Sequence, residues 1–258
     1  MSYEEHPAFS APENRDQKIW RYMGFSKFVS NLDKKALFFS RVDLLGDPFE
    51  GSVSKPTVEA REAGLRQLQK EQGLADKVVE HLLKSSTEFT QNARAFIFVN
   101  CWNMSEDESP ALWTIYGKSE ESVAVQSTFS RLVESLNIAE RSVYIGKVSY
   151  LDYEEEYMPA TNIFHSSLHK RKGFDHEREI RAAIMYMPVK ESGAIDVDSL
   201  RSMPGHHIAV DFGVLIERLY VHPTAPNWFL ELIESVMEKY ELGEKKIIRS
   251  ALGSRPIF

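Results

Sequence analysis

Ala95-Phe96-Ile97-Phe98-Val99-Asn100-Cys101-Trp102 is a nearly continuous apolar run, and its reading decides the fold. Eight residues is strand length, and a strand apolar at successive positions must bury both of its faces. The run therefore predicts a central strand of a sheet covered by further layers on either side.

Immediately upstream, residues 57–94 change to helical composition, with Leu65, Leu68, Val78, Val79, Leu82 and Leu83 at near-helical spacing and Gly73 as an interruption. This predicts two helices joined near Gly73 and inserted into the domain, either as a lid or as a cover for the sheet. Before them, Ala36 to Ser40 reads as a strand that ends in a turn at Gly46-Asp47-Pro48, and Ile19 to Met23 reads as another strand. Between these two strands Ser26 is a candidate cap for a helix in which Phe28, Val29 and Leu32 share a face. Residues 1–17 are polar, contain Pro7 and Pro12, and read as an extended, weakly ordered arm.

Downstream, Ser109-Pro110 supplies an N-cap and a first-turn proline, Gly117 a stop, and Trp113 and Tyr116 share a face of the short helix between them. Strands are expected at 122–128, 143–151, from Ile180 to Tyr186, at 208–212 and at 219–222, and a helix at 129–136. The segment 162–172 fits no single pattern. A last helix from about Pro226 carries the apolar stripe Phe229, Leu230, Ile233, Val236, Met237 and Tyr240, which suits a core face. The expected fold is α+β: one domain over residues 18–258, a twisted mixed β-sheet flanked by helices, with the helical pair 57–94 inserted.

The composition, 43% hydrophobic and 27% charged, is that of a globular chain, and no apolar run is long enough to span a bilayer. The first residues lack the basic and apolar regions of a signal peptide, so a cytoplasmic location is expected. A net charge of -7 opposes broad binding to nucleic acid. Cys101, the single cysteine, sits within the apolar run and reads as a packed thiol, and the eight histidines form no metal-binding motif.

The chemistry concentrates in Arg171-Lys172-Gly173-Phe174-Asp175-His176-Glu177-Arg178-Glu179-Ile180-Arg181. On a strand, Glu177, Glu179 and Arg181 alternate to one side, placing two carboxylates and a guanidinium together at the rim of a sheet. Such a trio can orient a hydroxyl-bearing substrate and steady developing positive charge, or it can be a structural ion-pair network. The adjacent basic stretch His169-Lys170-Arg171-Lys172 is either a solvated loop or a phosphate contact beside that rim.

Trp20-Arg21-Tyr22, Asp47-Pro48-Phe49-Glu50, Leu112-Trp113-Thr114-Ile115-Tyr116-Gly117 and the Glu-x-Glu-x-Arg of residues 177–181 occur in an order and spacing that resemble the bacterial domain-of-unknown-function 2971 family. The chain departs from that family at Asn100-Cys101-Trp102, where serine-cysteine-aromatic is more usual. A looser similarity to ADP-ribosyltransferase-like enzymes implies NAD as co-substrate and Glu179, then Glu177, as the catalytic carboxylate. That carboxylate would stabilise an oxocarbenium-like charge while binding a ribose hydroxyl.

The same similarity implies that Arg21 binds pyrophosphate, that Trp113 or Tyr116 stacks on a ring and that Asp47 or Glu50 faces Arg21 across the cleft, with Lys172 and Arg181 completing the expected substrate site. Local alternatives stand beside these roles: Arg21 paired to Asp47 or Glu50, and Trp113 as core. A non-catalytic module that binds a nucleotide or a protein on the same rim is the alternative function. Because hard cations need only oxygen ligands, Asp47, Glu50, Glu177 and Glu179 also admit a divalent metal for phosphodiester hydrolysis, the least supported of the three readings, and no metal is expected.

Overall fold

The apolar run becomes the strand on which the rest of the sheet is assembled. In the computed structural model, which describes residues 2–254 and 256, the chain runs β1 (Lys18–Gly24), α1 (Phe25–Asp33), β2 (Ala36–Arg41), α2 (Lys55–Gln72), α3 (Asp76–Ala93) and β3 (Ile97–Met104). It continues through α4 (Pro110–Leu112), a π-helical turn (Trp113–Gly117), β4 (Ser122–Thr128), α5 (Phe129–Ser135), β5 (Tyr144–Lys147), β6 (Ser149–Leu151), β7 (His169–Arg171) and β8 (Glu179–Met185). The last elements are α6 (Val197–Ser202), β9 (Gly205–Ala209), α7 (Phe212–Leu215), β10 (Arg218–Val221), α8 (Asn227–Lys239) and β11 (Lys246–Arg249).

Nine strands form one mixed sheet, with β6 and β7 as a separate parallel pair, and the α+β single-domain expectation holds. β8 pairs with β3 along its whole length, from Ile97↔Met185 to Asn103↔Glu179. A strand has only two edges, so β1 and β2 share the other: β1 meets β3 at Ile19↔Met104 and Trp20↔Asn103, and β2 meets it at Ser40↔Val99 and Arg41↔Phe98. The sheet therefore splits beside residues 100–102. Asn100 ties the split together, its Nδ2 donating to the Phe38 carbonyl at 2.9 Å while its Oδ1 accepts from Trp102 Nε1 at 2.7 Å. Asn100 thus has a structural role.

Alternation on β3 and β8 sends Phe98, Trp102, Ile180, Ala182 and Ile184 to one face, where they join Phe28, Leu32, Phe129, Phe229 and Ile233 in the main core. The opposite face receives Ile97, Val99 and Ala183, packed on Phe164 and Leu168, together with Glu179 and Arg181. Both faces are covered, as the continuous apolar run requires.

The helical pair is present, and Gly73 ends α2 in the left-handed region at φ 66°. Only Thr57 of α2 and Val79 and Ala93 of α3 are buried, so the pair stands largely clear of the body and does not cover the sheet. Three local expectations shift. Gly24, not Ser26, occupies the N-cap of α1, leaving Ser26 in the first turn. The single strand expected over 143–151 breaks at Val148, whose N–H bonds to the Glu179 carbonyl at 2.9 Å, and β6 leaves for the second sheet. Residues 208–212 split because Asp211 caps α7, its side chain accepting from Val214 N.

The arm is packed against the domain. Tyr3 bridges to Val143, Lys147 N donates to the Ser10 carbonyl at 2.9 Å, and Phe9 lies among Tyr144 and Phe164 with ring centroids 5.5 and 5.0 Å away. Gly146 makes this docking possible, since a Cβ there would meet Phe9 Cα at 2.8 Å.

Candidate functional site

The charged junction folds into a buried cluster on the second face of the sheet. Residues 172–177 form a 3-10 helix, Arg178 reverses the chain in the left-handed region (φ 39°, ψ 54°), and Glu179 opens β8. Glu177 is thus not on the strand; the 3-10 turn brings it beside Glu179 and Arg181, as strand alternation would have done. The β2–α2 loop contributes Glu50 and β7 contributes Lys170. Glu50, Lys170, Glu177, Glu179 and Arg181 are 3, 7, 7, 4 and 0% exposed.

Lys170 Nζ bonds to Glu177 Oε2 and lies 3.1 Å from Glu179 Oε2 and 3.3 Å from Glu50 Oε1. Arg181 spends each of its nitrogens within the protein: Nε on Glu179 Oε1 at 2.6 Å, Nη2 on Glu50 Oε1 at 2.8 Å and Nη1 on the Ser167 carbonyl at 2.6 Å. Tyr116 donates to Glu177 Oε1 at 2.7 Å, Asn103 Nδ2 donates to the Glu177 carbonyl at 2.6 Å, and Tyr150 Oη accepts from Glu179 N at 2.7 Å. Beside the cluster, Arg171 grips Asp47 through two bonds of 3.1 and 2.7 Å, while Asp47 Oδ1 accepts from Phe49 N at 3.1 Å.

Burial opposes charge on Glu179, Lys170 and Arg181, and their mutual pairing overrides it. Burial alone would raise the Glu179 carboxyl, but Arg181 and Lys170 bring it down from 4.5 to about 2. The Lys170 ammonium is raised, its desolvation outweighed by Glu179 and Glu50. Burial, then the Glu177 carboxylate, pushes the Tyr116 phenol up, and burial, then Glu179, pushes the Cys101 thiol up. Cys101 stands opposite Arg181 on β3, packed at the edge of the second core cluster.

The structure gathers Glu177, Glu179, Arg181 and Tyr116 and sets Asp47 next to them; it does not bring in the other expected residues. Lys172 points outward to Glu156 at 2.9 Å, and the lysine of the basic stretch that enters the cluster is Lys170. Trp113 is 2% exposed, packed edge-on to Tyr22 with its Nε1 on Glu108 Oε2 at 3.0 Å. Trp113 and Tyr116 do not share a face, because Lys118 N reaches back to the Trp113 carbonyl and closes a wider π turn.

Arg21 pairs with neither Asp47 nor Glu50: it lies on the main-core side, 5.9 Å from the Trp102 ring centroid, and burial lowers its pKa to about 10. Among the described residues its Nη1 has no partner. Asp47, Glu50, Glu177 and Glu179 are interleaved with Lys170, Arg171 and Arg181, and no group of three His, Cys, Asp or Glu among the described residues is placed to hold a metal ion.

Next to the cluster lies a cavity of about 680 Å³ that no sequence pattern announces. Arg178, Lys147 and Tyr150 border it, along with Ser10 and Gln17 of the arm and Asp175 of the 3-10 turn. The sequence signal for it is faint: Arg178 stands between two glutamates whose burial turns it outward.

No protein-family model, curated protein or solved structure matches the chain. Among the described residues no helix is long and apolar enough to cross a membrane.

Proposed function

We propose that this protein is a non-catalytic binding module for a nucleotide-like small molecule, held in the cavity beside the Glu177–Glu179 turn, with the buried cluster as its scaffold. One observation carries this reading: both Glu179 oxygens are occupied, Oε1 by Arg181 Nε at 2.6 Å and Oε2 by Lys170 at 3.1 Å and Arg181 Nη2 at 3.2 Å. A carboxylate so engaged and only 4% exposed is closed to a ribose hydroxyl by its own partners, and displacing one of them would strand a buried cation. The cluster instead fixes the turn at Arg178, a left-handed non-glycine residue of the kind that accumulates where structure is held for function, at the border of a cavity of ligand size.

The test is to titrate the protein with NAD and adenosine monophosphate by calorimetry and then to recover the ligand after long incubation. Saturable binding with unchanged ligand is expected. Absence of binding by either would overturn the reading.

A second reading, an NAD-consuming ADP-ribosyltransferase or glycohydrolase acting on an unidentified acceptor, is favoured by the 2.7 Å bond between Tyr116 and Glu177. It joins a 45% exposed aromatic ring to the glutamate nearer the surface. On this reading Glu177, not Glu179, is the catalytic carboxylate. Nicotinamide release from NAD, lost in Glu177→Gln, would establish it in place of the first.

A further inference from the structure

We propose that the cavity recognises a phosphoryl group through Lys147, Arg178 and the Tyr150 hydroxyl, so that its ligand is a phosphorylated sugar-bearing molecule such as a nucleoside monophosphate. This rests on the binding-module reading and adds to it the chemical class of the ligand and the residues that select it.

Three donors border one cavity and are unspent. Among the described residues neither the Lys147 ammonium nor the Arg178 guanidinium makes a salt bridge or side-chain hydrogen bond, in contrast to Lys170 and Arg181 a few residues away. Tyr150 accepts from Glu179 N at 2.7 Å, which uses a lone pair of its oxygen and leaves the hydroxyl hydrogen without an acceptor among those residues. Burial raises the phenol, so it stays a donor at neutral pH.

An ammonium, a guanidinium and a hydroxyl bordering one cavity offer the kinds of donor that a tetrahedral oxyanion takes. Two carboxylates border the same cavity and need accounting. Glu106 accepts from Gln17 Nε2 at 2.8 Å within the cavity wall and lies 3.6 Å from Lys18, so it stands beside the anion site with a cation of its own. Asp175 is exposed and accepts hydrogen bonds only, which suits the hydroxyls of a sugar and repels a bare anion. A phosphate joined to a polyol satisfies both sets.

The experiment is calorimetric titration of the full chain with adenosine monophosphate, adenosine and inorganic phosphate at fixed ionic strength. Wild type is compared with Tyr150→Phe, Lys147→Met and, as a charge control, Lys172→Met. Wild type should bind the monophosphate at least 10-fold more tightly than either adenosine or phosphate. Tyr150→Phe should weaken the monophosphate about 10- to 100-fold, with adenosine unaffected, as the loss of one hydrogen bond to a charged group predicts. Lys147→Met should weaken it 10-fold or more and reduce its salt dependence, and the control should match wild type.

Equal affinity for monophosphate and adenosine would overturn the phosphoryl assignment. Phosphate binding as tightly as the monophosphate would overturn the sugar-bearing one. Monophosphate affinity unchanged in both site variants would overturn the residue assignment while the module reading stands. Failure of wild type to bind any of the three would overturn both. Should Tyr150→Phe melt early, Lys147→Met decides alone, since the Lys147 side chain makes no hydrogen bond that the fold would lose.

Discussion

Arg21 and Glu179 stand on opposite faces of the same sheet. Trp20 pairs with Asn103 and Asn103 with Glu179, so these three share a face, and Arg21, one residue along β1, projects to the other. The arginine and the glutamate that a single NAD cleft would unite are thus separated by the sheet itself. Arg21 is a half-buried cation near Trp102 whose Nη1 is buried without a partner among the described residues, and substituting an apolar residue of similar length removes that cost while keeping the packing. Arg21→Met is expected to leave the folded state as stable or more stable by up to about 2 kcal/mol, and to leave ligand binding unchanged. Urea denaturation at pH 7 measures this; a fall of similar size would mean that the guanidinium has a partner which the arrangement around Trp102 does not reveal.

Two lysines two residues apart give opposite expectations. Lys170 is closed in among three glutamates, and Lys170→Met would leave Glu50, Glu177 and Glu179 facing each other with Arg181 alone to answer them. Breaking a buried pair in this way costs about 3–5 kcal/mol. Lys172 reaches outward to Glu156 across solvent, so Lys172→Met should leave the denaturation midpoint where it is. Equal midpoints for the two variants would contradict the geometry of the cluster.

Why the sequence ranked these lysines the other way is instructive. The elements were legible wherever apolar spacing carried them: the run 95–102 marks a central strand buried on both faces, and Gly73 marks the break between helices. The charged site was legible as a composition but not as a geometry. Lys170 is inside because three residues of β7 pair with β6, an alternation too short to detect among four consecutive basic positions. Trp113 and Tyr116 diverge because of one π turn, which the ordinary helical period does not anticipate. The cavity draws Ser10, Lys147, Tyr150 and Arg178 from separate segments, and no local pattern links them.

The docking of the arm depends on one missing side chain. A Cβ at Gly146 would meet Phe9 Cα at 2.8 Å and its carbonyl carbon at 3.0 Å, both backbone atoms that cannot step aside as a side chain could. Gly146→Ala is expected to displace the arm at a cost of about 1–3 kcal/mol, loosening the wall that Ser10 gives the cavity. Limited proteolysis checks this directly: the variant should be cut within residues 1–17 well before wild type, and identical cutting patterns would show that β5 adjusts without losing its neighbour.

Acid should dismantle the cluster through Glu179. Its pKa is held at about 2 in the folded protein against an ordinary value of 4.5, because Arg181 and Lys170 outweigh its burial. A carboxyl whose folded pKa is depressed contributes stability that is complete above the unfolded value and is lost as pH falls through the folded one. The window is therefore pH 4.5 down to 2, and the contribution at stake is roughly 3 kcal/mol. Glu179→Gln cannot ionise, keeps the shape of the side chain, and leaves Lys170 and Arg181 with Glu50 and Glu177 as partners. The variant should start less stable at pH 7 and lose less across that window, so that the wild-type and variant curves converge near pH 2. Urea midpoints at half-unit pH steps measure both curves; curves that stay parallel would mean that the two cations do not hold Glu179 ionised.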